Sequence, residues 1–165
     1  MTDNEQTILQ RLARLEALEE IRRLKNRYAD VCDNGYDGTA FAELFTIDGV
    51  WESNTFGTIT GRENLRAFID KIGDEEFSWA IHFMTCLDVV VSQDVTRAWG
   101  TWQLLQLSTR KATEESEPII ATALYRDELV RTDGGWKFSK VSVTFHHVAD
   151  FRQGWGSSLL PGIGA

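Results

Sequence analysis

Apolar residues in this chain change their period near Ser78, and that change limits the fold more than any other feature. Upstream, Ile8, Leu12, Leu15, Leu18, Ile21, Leu24, Tyr28 and Val31 recur every three or four positions, the spacing of one helical face. Whether residues 5 to 32 form one helix or two joined near Leu18 is left open by the spacing. A short helix is expected at TAFAELF (39–45), after the turn between Gly35 and Gly38. A third is expected at GRENLRAFIDKIG, where Leu65, Phe68, Ile69 and Ile72 share a face and Gly73 marks the end. Between them VWES and FGTIT read as two short strands. From Ser78 onward WAIHFMTCLDVVVS, TRAWGTWQLLQLST, EPIIATALYRDELVRT and GWKFSKVSVTFHHV read as long strands. Their connections, Gln93-Asp94, KATEES and Asp133-Gly134-Gly135, suit hairpins, so the sheet is expected to be antiparallel and meandering. Helices followed by such a sheet make an α+β chain.

Its 165 residues suffice for one domain with one core. A net charge of −8 repels phosphate backbones, and no basic patch interleaves with aromatics, so nucleic acid is excluded as a partner. No apolar run approaches the length of a membrane span, so no membrane partner is expected either. The N-terminal MTDNEQTILQ has neither the basic start nor the apolar stretch of a signal peptide. Cys32 and Cys86 sit in apolar surroundings without CxxC spacing, which suits lone buried thiols in a reducing compartment. A cytoplasmic location is the expectation. Core packing accounts for most of the six Trp, nine Phe and three Tyr, but a pocket for a hydrophobic ligand would use the same residues.

Two residues stand out chemically. In RYADVCDNGYD, Asn34-Gly35 can end the first helix unaided, which leaves Asp33 without an obvious local task. On the first long strand His82 shares a face with Ala80, Met84 and Cys86, and a buried imidazole needs a hydrogen-bond partner. A carboxylate from Asp33 would fix its tautomer and make it a general base. A satisfied core histidine and a helix-end turn residue fit the spacing better when it is read alone. Tyr28, about 140° round the helix from Asp33, likewise reads first as a core aromatic. His146 and His147, adjacent on the last strand, should point to opposite faces, so at most one can share a cavity with His82. No HxH or HxxxH spacing supports a metal site, and none is expected. No GxSxG, GxGxxG or P-loop occurs, and neither cysteine has an electropositive setting, so neither a nucleophile nor a nucleotide cofactor is expected.

LEEIRRLKNRYADVCDNGYDGTAFAELFTIDGVWE, then GREN, IHFMT and a DG-WKFSK hairpin, in that order, resemble the SnoaL-like branch of the nuclear transport factor two-like superfamily. The resemblance covers most of residues 10 to 148. It implies a cone-shaped α+β barrel of the cystatin-like kind, with N-terminal helices packed on a strongly curved, mostly antiparallel sheet around a pocket. Residues 1–148 would be that domain, and 149–165, with Phe151, Trp155, Leu159, Leu160 and Ile163, would pack over the pocket or a neighbouring subunit. The lyases of the branch, dehydratases of bile acids and scytalone and a hexachlorocyclohexane dehydrochlorinase, use a His–Asp base without a cofactor. Asp33, His82 and Tyr28 stand at the matching positions. Val141 stands where the dehydrochlorinase carries an arginine, which favours loss of a hydroxyl or a related carbon–oxygen or carbon–carbon cleavage over loss of chloride. His146 could supply the missing polar group. The resemblance therefore implies a lyase or isomerase acting on a hydrophobic cyclic or aromatic molecule, and a homo-oligomer, with a trimer ahead of a dimer. Trp51, Phe56, Trp102 and Phe145 are the expected substrate-binding wall. The alternative from a different class is a non-catalytic binding or structural subunit of the same fold.

Overall fold

The helical stripe forms one uninterrupted helix, α1 (Asp3–Asp33), in the computed structural model, which describes residues 3–111 and 115–154. Only its C-terminal half is clamped. Ala17, Ile21, Leu24 and Tyr28 are buried, whereas Ile8, Leu12 and Leu15 on the same stripe stay exposed. The helix ends in the way its sequence suggests. Tyr36 N–H donates to the Val31 carbonyl at 3.1 Å, Gly35 takes φ +101°, and the Asn34 amide donates back to the Asp30 carbonyl at 2.9 Å. This six-to-one closure leaves the side chain of Asp33 uncommitted.

A short α2 (Gly38–Ala42) follows, capped by the Asp37 carboxylate on Ala40 N–H at 2.9 Å. Gly38 is fixed by close approach, because a Cβ there would stand 2.3 Å from the Arg66 carbonyl oxygen of α3 (Arg62–Lys71). Strands β1 (Phe45–Ser53) and β2 (Gly57–Thr60) form the small hairpin between the two helices. A single π-turn, Ile72–Glu76, joins α3 to the long strands β3 (Phe77–Val91), β4 (Arg97–Arg110), β5 (Glu117–Thr132) and β6 (Gly135–Asp150).

The sheet order is β2-β1-β6-β5-β4-β3. The four long strands meander antiparallel as expected; the hairpin strand β1 instead joins β6 in parallel, with Trp51 opposite Val141. The sheet does not close on itself. β2 and β3 remain its edges, so the expected barrel is an open sheet whose chamber is completed by α1 lying across β3 and β6. Aromatic rings of α1, α2, β1 and β6 pack together in the core, with ring centroids of Tyr28 and Phe41 at 5.0 Å, Phe41 and Phe45 at 5.2 Å, and Phe45 and Phe138 at 5.4 Å. Each such fully buried ring contributes ~1.5–3 kcal/mol through area removed from water.

Three irregularities redirect side chains. Between Thr85 and Asp88 the β3–β4 register shifts by one residue, and Cys86 takes φ +51°. The odd-numbered apolar series of β3 is thereby split: Trp79 and Phe83 face outward, exposed, while Leu87, Val89 and Val91 pack against the core. Cys86 is consequently exposed rather than buried; Cys32 is buried. Two further shifts lie in β6, and one of them falls at His146, between Phe145 and His147.

Beneath the chamber lies an ion pair that periodicity did not reveal. Lys25 and Asp127 are both fully buried, with Nζ to Oδ2 at 2.8 Å. The ammonium sits 3.8 Å from the Tyr125 ring centroid and 4.5 Å from that of Tyr28. Desolvation draws the lysine pKa down and the aspartate pKa up, against the attraction between the two.

The expected C-terminal cover lies mostly outside the described residues. β6 runs to Asp150, past the expected boundary at 148, and Phe151 is exposed in the turn that follows. Trp155, Leu159, Leu160 and Ile163 fall among the residues not described.

Candidate active site

Asp33 is the last residue of α1, and α1 crosses β3 where His82 points inward. The carboxylate is bound twice by the same residue. Oδ2 accepts the His82 backbone N–H at 3.2 Å, and Oδ1 lies 2.6 Å from Nδ1 of the ring. A carboxylate only accepts, so the proton between them belongs to Nδ1, and in the neutral ring the lone pair is on Nε2. The His82 side chain is 7% exposed and that of Asp33 25%, so the pair is shielded without being sealed. Tyr36 holds the imidazole from the side, edge-on at 6.4 Å, and is itself stacked on Phe77 at 6.1 Å.

His82 lines a cavity of about 310 Å³ enclosed by α1, α3, the β1–β2 turn and the inner face of the sheet. The ladder explains why there is space. His82 pairs with Gln106, Gln106 with Ala121, and Ala121 with Val148, so one rung runs across four strands. Side chains on such a rung share a face. Small residues in the middle of it, Ala121 and its neighbour Ala123, leave room above the sheet. Phe56 and Phe68 wall the opposite side, their centroids 5.8 Å apart, and Phe145 of β6, paired with Ala123, reaches Phe56 at 6.3 Å.

The polar lining is almost entirely neutral. Tyr28, Tyr36 and Tyr125 reach the cavity, and burial raises all three phenols well above the ordinary tyrosine value, so they stay protonated. Tyr28 oxygen accepts the Trp51 indole N–H at 2.9 Å, and its own proton is directed to the Tyr125 hydroxyl, the partner a ligand oxygen would have to replace. The Cys32 thiol is likewise raised, first by burial and then by Asp33, and remains a thiol. Arg110 at the rim is paired with Glu117. Among the described residues no third His, Cys, Asp or Glu joins Asp33 and His82 in a metal-binding group.

Of the residues singled out from sequence, Tyr28, Trp51, Phe56, His82 and Phe145 line the cavity, and Asp33 stands behind His82. Trp102 does not. It is buried lower in the core, with the Lys25 ammonium 5.5 Å from its ring. His146 does not either: the register shift in β6 turns both His146 and His147 to the exposed side, while Phe145 and Val148 face inward. Adjacent residues alternate only in a regular strand. Val141 is fully buried in the core. Sequence reasoning missed Tyr36, Gln106, Ser108 and Tyr125. The inward parity of β4 (Trp102, Leu104, Gln106, Ser108) would have flagged the two polar residues on an otherwise apolar face.

Fold and site together define a cavity-bearing α+β protein with a carboxylate-held histidine facing a small-molecule-sized space. Residues 13–142 match the SnoaL-like domain, and the chain belongs to that family. Gamma-hexachlorocyclohexane dehydrochlorinase of Sphingobium indicum is 29% identical over 133 residues, covering 80% of each chain. The crystal structure of LinA superposes with a TM-score of 0.76 at 26% identity, over 86% of this chain and 93% of that one. An NTF2-like protein with a cystatin-like fold from Novosphingobium aromaticivorans gives 0.71 at 25% identity, over 88% of this chain and 92% of its own. The relatives of this chain thus include a lyase.

Proposed function

We propose that this protein is a cofactor-independent lyase of the dehydratase type, or an isomerase sharing its first step, acting on a hydrophobic cyclic molecule. The reading rests on the 2.6 Å contact between Asp33 Oδ1 and His82 Nδ1, made by a carboxylate that the helix end does not need. In the proposed reaction His82 Nε2 removes a proton from a carbon activated by a neighbouring carbonyl. The C–H electron pair becomes the new double bond, and in an elimination the bond to the leaving oxygen breaks. Asp33 stabilises the imidazolium meanwhile. Tyr28, kept neutral by burial and aimed by Trp51, donates to the carbonyl or to the departing oxygen. His82 then returns its proton, so an elimination releases water and no cofactor enters the balance. Val141, apolar and buried, offers nothing to a leaving chloride, which supports loss of oxygen over loss of halide.

The first step can be measured without knowing the substrate. A small ketone with acidic α-protons, 2-indanone, should exchange them for deuterium in D2O faster with the protein than in buffer. His82→Gln should remove that excess, since a positioned base contributes ~10²–10⁴-fold. An excess that survives His82→Gln would sink the proposal, and no excess at all would favour a non-catalytic binding protein.

A homo-oligomer, trimer before dimer, is also part of the proposal. Trp79, Phe83, Trp99 and Leu105 lie exposed on the outer sheet face, which supports it. A cytoplasmic location is retained as a proposal on composition alone.

A further inference from the structure

Gln106 and Ser108 are the least expected residues of the cavity. They follow one another on the inner face of β4, on the rungs of His82 and Ala80. Gln106 is 7% exposed and Ser108 3% exposed, and both line the cavity. The Gln106 amide makes no hydrogen bond to another described residue. Ser108 Oγ is buried without a partner. A buried hydroxyl left unmade costs ~1–3 kcal/mol, and the Gln106 amide beside it opens on the cavity with no partner among the described residues, so the two polar groups in one row on an apolar sheet are not packing residues. Water can serve them when the cavity is empty, and a bound molecule must serve them when it is filled.

Building on the proposed role of His82 as base, we propose that Gln106 and Ser108 form an oxygen-reading subsite, which restricts the substrate to a neutral ring carrying a carbonyl or hydroxyl oxygen. The ladder puts this oxygen next to the reacting carbon. Directly paired residues have Cβ atoms ~4.5–5.5 Å apart, so the Gln106 carboxamide and the His82 ring address adjacent atoms of one ligand. Gln106 offers both a donor and an acceptor, and Ser108 a rotatable hydroxyl, so a ketone and a hydroxyl are both accommodated. Anions are disfavoured. Among the described lining residues Arg110 alone is an arginine, and it is held by Glu117, while Glu76 lines the cavity and Asp33 backs His82. Hydrocarbons are disfavoured because they would strip water from the two groups and return nothing.

Three matched probes test the subsite on the full chain: 2-indanone, indane and indane-2-carboxylate, titrated by calorimetry. The ketone should bind at least tenfold tighter than either of the others. Gln106→Leu should weaken the ketone about tenfold and leave indane unchanged or tighter. Gln106→Met, closer in length, replaces it if the leucine variant does not fold, and Ser108→Ala should give a smaller loss of the same sign. In deuterium exchange Gln106→Leu should raise KM more than it lowers kcat, a split that a merely structural role would not produce. Equal binding of indane and 2-indanone, or a ratio unmoved by Gln106→Leu, overturns the subsite. His82→Gln should leave ketone binding within a few-fold, so loss of the base and loss of the subsite give different signatures. A ketone preference without exchange would uphold the subsite while refuting the catalytic role of His82.

Discussion

Replacing Asp33 by Asn is the most informative single perturbation, because it keeps the shape of the contact and changes only its polarity. The carboxylate accepts twice, from the His82 backbone N–H at 3.2 Å and from the ring at 2.6 Å. An asparagine has one accepting oxygen and one donating amide. The backbone N–H cannot change its role, so the oxygen should turn to it and the amide nitrogen to the ring. Nδ1 must then accept, the imidazole proton moves to Nε2, and the lone pair facing the cavity disappears. The expected loss of exchange rate is ~10²–10⁴-fold, the whole contribution of a positioned base, or roughly 3–5 kcal/mol of barrier. Stability should fall less. Two charge-assisted bonds are exchanged for neutral ones at a partly exposed carboxylate, about 1–3 kcal/mol in all. For a domain of this size that is a few degrees in Tm, about 2–4 °C per kcal/mol. Deuterium exchange into 2-indanone reads the rate, and circular dichroism melting reads the fold. A folded Asp33→Asn variant exchanging within tenfold of wild type would refute the assignment of Asp33 to tautomer control.

Lys25→Met alone should cost ~3–5 kcal/mol by stranding Asp127, whereas Lys25→Met with Asp127→Leu should be neutral or stabilising, as denaturant titration would reveal. The pH dependence has a definite sign. Lys25 is pulled below 10.5 and Asp127 above 3.8, so the unfolded state holds the lysine proton more tightly and the aspartate proton less tightly. Relative to the double variant, wild type should therefore gain stability as pH rises toward 10.5 and as it falls toward 3.8. Ala121→Leu, next to Gln106 on the shared rung, should fill the cavity and abolish binding of 2-indanone with a stability change under ~1.5 kcal/mol; retained binding would mean that the ligand lies elsewhere. Sedimentation at micromolar concentration should show an oligomer, and Trp79→Glu with Phe83→Glu should dissociate it. A wild-type monomer would leave the exposed outer face unexplained.

The contact between Asp33 and His82 was half legible from local chemistry. Asn34-Gly35 carries its own helix-stop, so Asp33 could be seen to be spare, and the inward parity of Ala80, His82 and Met84 marked the histidine. Nothing local joined them, because the contact spans 49 positions in sequence. Residues beyond a bulge were misread for a single reason. Parity is a property of unbroken strands, and one extra residue reverses it. That accounts for Cys86 on the exposed side of β3 and for His146 on the exposed side of β6. Trp102 was placed on the correct face but at the wrong depth, since parity carries no information about position along the chamber.

By itself, then, the sequence determined the order of helices and strands, the antiparallel meander and the site at which the first helix stops. These follow from periodicity and turn chemistry within a few residues of each other. Tertiary structure alone decided that β1 would join β6 in parallel, that the sheet would stay open with α1 across it, and that Lys25 would find Asp127. It also decided where the cavity lies, because a chamber above Ala121 exists only once four strands align their rungs. Those outcomes depend on which distant faces meet, and short-range pattern has no term for that.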